Sequence, residues 1–85
     1  MEKKILLEEL EENQTGEVSR ILSEPDMKRR FHDIGLICGT KVTCVGTGPF
    51  GDPKAYNIRG AVIAIRKKDA RKIEIVLKDI PERDV

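Results

Sequence analysis

The stretch GTGPFG, at residues 46–51, decides between two folds. Its spacing fits G-x-G-x-x-G, the fingerprint of a strand-to-helix turn that cradles a dinucleotide pyrophosphate. That chemistry needs a helix directly after the third glycine, because the free amides of its first turn hold the phosphates. Here Gly51 is followed by Asp52 and Pro53, then by KAYNIRG at 54–60, which favours strand and meets another glycine too soon for a crossover helix. A βαβ unit also takes about 30 residues and a second parallel strand, and this chain leaves little room for one. The stretch is therefore read as the loop of a long β-hairpin between residues 42–47 and 55–59. Gly46, Gly48 and Gly51 are expected to supply positive φ values in it, while Pro49 and Pro53 stiffen it. No Gly-Lys-Ser/Thr sequence provides a Walker loop.

Working outward, SEPDMKRRFHDIGL at 23–36 carries the clearest helical signal. Ser23 is placed to cap the first turn, with Asp26 three residues on, and Pro25 is tolerated that early because its missing N–H costs nothing there. Met27, Phe31 and Ile34 share one face. Gly35 is the expected left-handed residue past the helix end, with Leu36 folding back on Phe31. The spacing predicts a helix over about 24–34, with Lys28, Arg29, Arg30 and His32 on its outer surface.

Strands are predicted at EVSRIL (17–22), TKVTCV (40–45), AYNIR (55–59), AVIAIR (61–66) and IEIVL (73–77), from their alternation and their turn boundaries. ILLEELEENQTG at 5–16 fits either a short helix or a strand leading into a turn. KKDAR at 67–71 is a charged helical turn at most. Five or six short strands separated by turns at Gly35, Gly39, Gly51, Pro53 and Gly60 indicate a mainly β chain curled into a small barrel. Residues 1–79 are read as one domain and 80–85 as a frayed polar tail.

Composition narrows the function classes. In 85 residues the core is thin and is built from Ile, Leu and Val, since aromatics reach only 4% and Trp is absent. Basic and acidic residues number 16 and 15, a balance unlike that of a protein that coats nucleic acid. Two Cys and one His are too few for a disulfide framework and suit a reducing cytoplasm. The apolar run AVIAI at 61–65 is too short to cross a bilayer. The opening MEKKILLEELEEN turns acidic at once and is not read as a secretory signal.

No catalytic or metal constellation stands out. Cys38, Cys44 and His32 are the only soft ligands, and structural zinc favours four ligands with a close Cys pair. Cys44 reads as a small buried hydrophobe on a strand and Cys38 as a turn residue. Ser19, Ser23 and His32 form no triad, and Asp52 and Asp69 read as ordinary loop carboxylates. Lys28, Arg29 and Arg30 read as a solvated helix face with few aromatics for base stacking. Phe50 has two readings, an exposed contact for a protein partner or a side chain tucked under its own loop.

Taken together, RRFHDIGLICGTKVTCV (29–45) and PFGDPKAYNIRGAVIAIRKKDARKIEI (49–75) resemble the signatures of FeoA-like proteins. Leu7, Leu10, Gly16 and Val18 suit the family's opening pattern. The likeness runs from about residue 7 to 77. Asn13 and Cys38 stand where the family usually has Gly and Pro, and Phe31 and Ile65 replace Leu. The resemblance implies an SH3-like β-barrel with added helical turns. It implies a non-enzymatic cytoplasmic accessory of ferrous iron uptake that acts on the cytosolic portion of the transporter FeoB, with no cofactor, no nucleic acid and no membrane insertion. Phe50, with Arg59 near it, is the expected partner contact. The rival it implies is a metal-sensing module like the C-terminal domain of iron-dependent repressors.

Overall fold

The computed structural model describes residues 2–78, so the expected tail at 80–85 lies outside the described residues. Six strands form one antiparallel sheet: β1 (Glu2–Leu6), β2 (Thr15–Ile21), β3 (Lys41–Thr47), β4 (Lys54–Ile58), β5 (Ala61–Ile65) and β6 (Ile73–Lys78). They lie in the order β1-β6-β2-β3-β4-β5. The sheet stays open, with β1 and β5 at its edges. Bulges in β2 between Val18 and Arg20, and in β3 between Cys44 and Gly46, supply the local bend that a small curled sheet requires. Helix α1 (Pro25–Asp33) links β2 to β3, and the short α2 (Lys67–Ala70) links β5 to β6.

The ambiguous segment is a strand followed by a turn. β1 pairs with β6, and Leu7–Glu9 then form a single 3-10 turn. The Glu9 carboxylate accepts from the Leu6 amide at 2.7 Å, satisfying a donor that the turn leaves open. Asn13 takes φ 71°, a left-handed value that Asn tolerates where the family usually has Gly.

Helix α1 ends as its sequence predicts. The Leu36 amide donates to the Phe31 carbonyl at 2.8 Å and the Gly35 amide to His32 at 3.0 Å. With Gly35 at φ 91°, this is a Schellman ending. Leu36 and Phe31 are both buried in the core. The start differs from expectation. Glu24 is the N-cap, no side chain caps the turn, and the Ser23 hydroxyl is buried without a partner. The cap has moved one residue along because Pro25 opens the helix, and Pro favours an extended residue before it. Ile34 is exposed instead of sharing the core face, because it is the C-cap residue on which the helix turns away.

The core holds Leu7, Leu10, Val18, Val42, Tyr56, Ile58, Ile73 and Ile75 at full or near-full burial. These are the inward positions of the alternating strands plus the two leucines that bracket the 3-10 turn. Gly16 matters for a reason invisible locally. A Cβ there would collide with Ile75 Cγ2 across the β2–β6 contact.

Candidate functional site

The 46–51 stretch is a hairpin loop. Thr47 pairs with Lys54, and the strand β4 stands where a nucleotide fold would need a helix. Of the three glycines only Gly51, at φ 80°, takes a positive value. Gly46 sits at the bulge. Gly48 is required by close approach instead, since a Cβ would stand 3.0 Å from the Pro53 carbonyl oxygen. The Gly51 amide donates to the Gly48 carbonyl at 2.9 Å, closing a β-turn with Pro49 and Phe50 at its corners. The Gly48 amide donates to the Pro53 carbonyl, also at 2.9 Å. Asp52 is more than an ordinary loop carboxylate, because its Oδ1 accepts from the Lys67 amide at 2.8 Å and ties the loop to the start of α2.

This bracing presents Phe50 to solvent at 94% exposure. Phe50 is therefore not tucked under its own loop. Arg59 lies elsewhere. β4 separates the two, with Thr47–Lys54 at one end and Ile58–Ala61 at the other. At about 3.3 Å per residue a strand of this length spans some 16 Å. Arg59 (φ 53°) and Gly60 (φ 89°) make the two-residue turn into β5, and the Asn57 Oδ1 accepts from the Gly60 amide at 3.1 Å. The Arg59 side chain instead lies over Gly35, where an added Cβ would meet its Cδ.

Beside the loop a cleft of about 250 Å³ is lined by Glu8, Asp52, Lys54, Tyr56 and Lys67. The Lys54 ammonium donates to the carbonyls of Glu8 (2.6 Å) and Leu10 (2.9 Å), and the Tyr56 hydroxyl donates to Leu7 O at 3.2 Å. Burial, followed by the charges of Cys44, Glu8 and Asp52, pushes the Tyr56 phenol well above its ordinary value. Both groups thus hold the 3-10 turn in place, and a phenol kept neutral offers no base. The Glu8 Oε1 is buried without a hydrogen-bond partner.

The two cysteines play separate roles. Cys44 is buried in the core, and Cys38 is exposed with its thiol donating to Ser19 O at 3.3 Å. Among the described residues no group of three Cys, His, Asp or Glu side chains is gathered for a metal ion. Nor is any helix there long and apolar enough to cross a membrane. Thr40 and Gly39 complete the turn before β3. The Thr40 Oγ1 donates to Gly35 O at 3.0 Å, and Gly39 takes φ 91°.

Comparisons with known proteins agree with one another. The family model of the FeoA domain matches residues 5–77. A Porphyromonas gingivalis Fe(2+) transport protein A/Fe(2+) transporter FeoB fusion protein is 30% identical over 71 residues, which span 84% of this chain and 8% of that protein's length. The solution structure of a FeoA-like protein from Clostridium acetobutylicum superposes with a TM-score of 0.81 at 32% identity, covering 100% of this chain and 98% of that one. A zinc-complexed FeoA from Stenotrophomonas maltophilia, described as an SH3 domain protein, gives a TM-score of 0.70 at 25% identity over 84% of this chain and 88% of that one. A manganese-dependent transcriptional repressor shares the fold, with a TM-score of 0.80 at 23% identity over 92% of this chain and 44% of that one.

Proposed function

This chain belongs to the FeoA family, and from that premise we propose that it is a non-enzymatic, cytoplasmic accessory of ferrous iron uptake that works by contact with the cytosolic portion of FeoB. One observation carries the reading. In the Porphyromonas protein a segment similar to this chain is fused to the transporter itself. Fusion keeps two domains at high effective concentration, an arrangement that favours domains working on one another. The SH3-like architecture supports it, being a small binding scaffold with a braced, solvent-exposed loop. That loop offers Phe50 with little conformational freedom to lose, and an aromatic anchor of this kind supplies much of the energy of a small interface.

The test is binding of the purified chain to the cytosolic portion of FeoB, by isotherm, alongside Phe50→Ala. Because Phe50 is exposed, the substitution leaves the melting temperature unchanged. It weakens binding by about 1–3 kcal/mol. Wild-type chain that fails to bind the cytosolic portion refutes the partner. Wild-type affinity retained by Phe50→Ala refutes the loop as the contact.

A further inference from the structure

Among the described residues the sheet has two edges with no further strand beside them, and they are built differently. β1 reads EKKIL, with exposed Glu2, Lys3 and Lys4, and charged side chains are a common way to stop an edge from pairing. β5 reads AVIAI and carries no charge. Ala61, Val62 and Ala64 are exposed, Val62 to 64%. Its only strand partner among the described residues is β4.

The register says which groups are free. Ile58 and Ala61 close the two-residue turn, so the pairs Ile58–Ala61, Tyr56–Ile63 and Lys54–Ile65 exchange the ladder hydrogen bonds. The N–H and C=O groups of Val62 and Ala64 therefore point away from β4. The flanks of the strand are basic: Arg59 before it, Arg66, Lys67 and Lys68 after it. Acids near this end are Asp69, 3.6 Å from Arg66, Asp52, whose Oδ1 takes the Lys67 amide, and Glu8, which lines the cleft beside Ile65 and Lys67; they offset part of a flank that carries three basic side chains. A second copy is a poor occupant. Antiparallel pairing of two β5 strands about Ile63 would bring the basic turn at Arg59 of one copy toward the basic start of α2 in the other, and like charges brought together disfavour pairing.

We infer that the outer edge of β5 is a strand-addition site for an extended segment of a partner protein, apolar at its centre and acidic at both ends. Backbone bonds to Val62 and Ala64 supply the pairing, and the basic flanks select the acidic ends. This inference is independent of the transporter reading and uses the outer backbone of β5, which pairs with β4 along its whole length, instead of the Phe50 side chain.

The test is NMR titration with a synthetic peptide that alternates valine and threonine between flanks of aspartate and glutamate. The expected result is shift changes and slowed amide exchange at Val62 and Ala64, weakened by salt and unaffected by Phe50→Ala. Ala64→Pro removes an outward N–H and no ladder bond, so the strand persists while binding falls at least about tenfold. Val62→Lys, a charged residue on the exposed face, serves as the second variant should proline unfold the edge. Absence of binding, or shifts confined to other strands, overturns the inference. So does equal binding of a lysine-flanked peptide. Concentration-dependent dimerisation abolished by Ala64→Pro would show a second copy as the occupant and also overturn it.

Discussion

Replacing Gly35 by alanine tests the helix ending and the placement of Arg59 together. Gly35 sits at φ 91°, where a residue with a Cβ is strained. Holding an L-residue in the left-handed region costs about 1–2 kcal/mol. Alanine also stiffens the unfolded chain, which offsets roughly 0.4–1 kcal/mol. A third contribution comes from the collision between the new Cβ and Arg59 Cδ. Arg59 is exposed and long, so its stem swings aside at small cost. The net expectation is a loss of about 1 kcal/mol, which in a domain of this size lowers the melting temperature by roughly 4–8 °C. Urea denaturation of wild type, Gly35→Ala, Arg59→Ala and the double variant gives the coupling directly. The midpoint shifts and the slope does not, because the unfolded surface is unchanged. The coupling between Gly35 and Arg59 stays under about 0.5 kcal/mol if the stem is free to move. An unchanged midpoint for Gly35→Ala would refute the Schellman ending. A large coupling would show that Arg59 is held rigidly over the helix end.

The buried side chains and the cysteines give further expected outcomes. Tyr56→Phe removes the bond to the Leu7 carbonyl and destabilises the fold by about 1 kcal/mol near neutral pH, measured by denaturation. The phenol of Tyr56 is raised above its ordinary value of 10.0, so the folded state keeps a proton that the unfolded chain releases. Stability is then fully present below that value and falls as pH rises above it, and the fall is shallower in Tyr56→Phe. For metals, the double variant Cys38→Ser, Cys44→Ser is expected to leave iron and zinc affinity weak and little altered, read by metal content after dialysis. Stoichiometric metal in the wild type, lost in the double variant, would instead favour the sensing role.

Most local signals are legible in the sequence, although the helix cap, the placement of Ile34 and the φ values of Gly46 and Gly48 are not. Period-two alternation places five strands, and the Met27, Phe31 and Gly35, Leu36 pattern places α1 and its ending, because each depends on residues within a few positions of one another. The glycine fingerprint resolves to a hairpin because the residues after Gly51 favour strand over helix. The family signature is equally legible, because it is a linear order of motifs. Contacts between distant positions are not. Lys54 reaching the carbonyls of Glu8 and Leu10, Tyr56 reaching Leu7, and Ile75 filling the space that a Cβ on Gly16 would need all join segments more than 40 positions apart. Arg59 and Phe50, nine positions apart, are expected side by side from the sequence, yet a strand is extended and holds its two ends apart. Which strands end at the sheet edges is likewise a matter of pairing order. That order is set by which apolar faces bury one another, so β5 with its uncharged free edge becomes visible only once all six strands are in place.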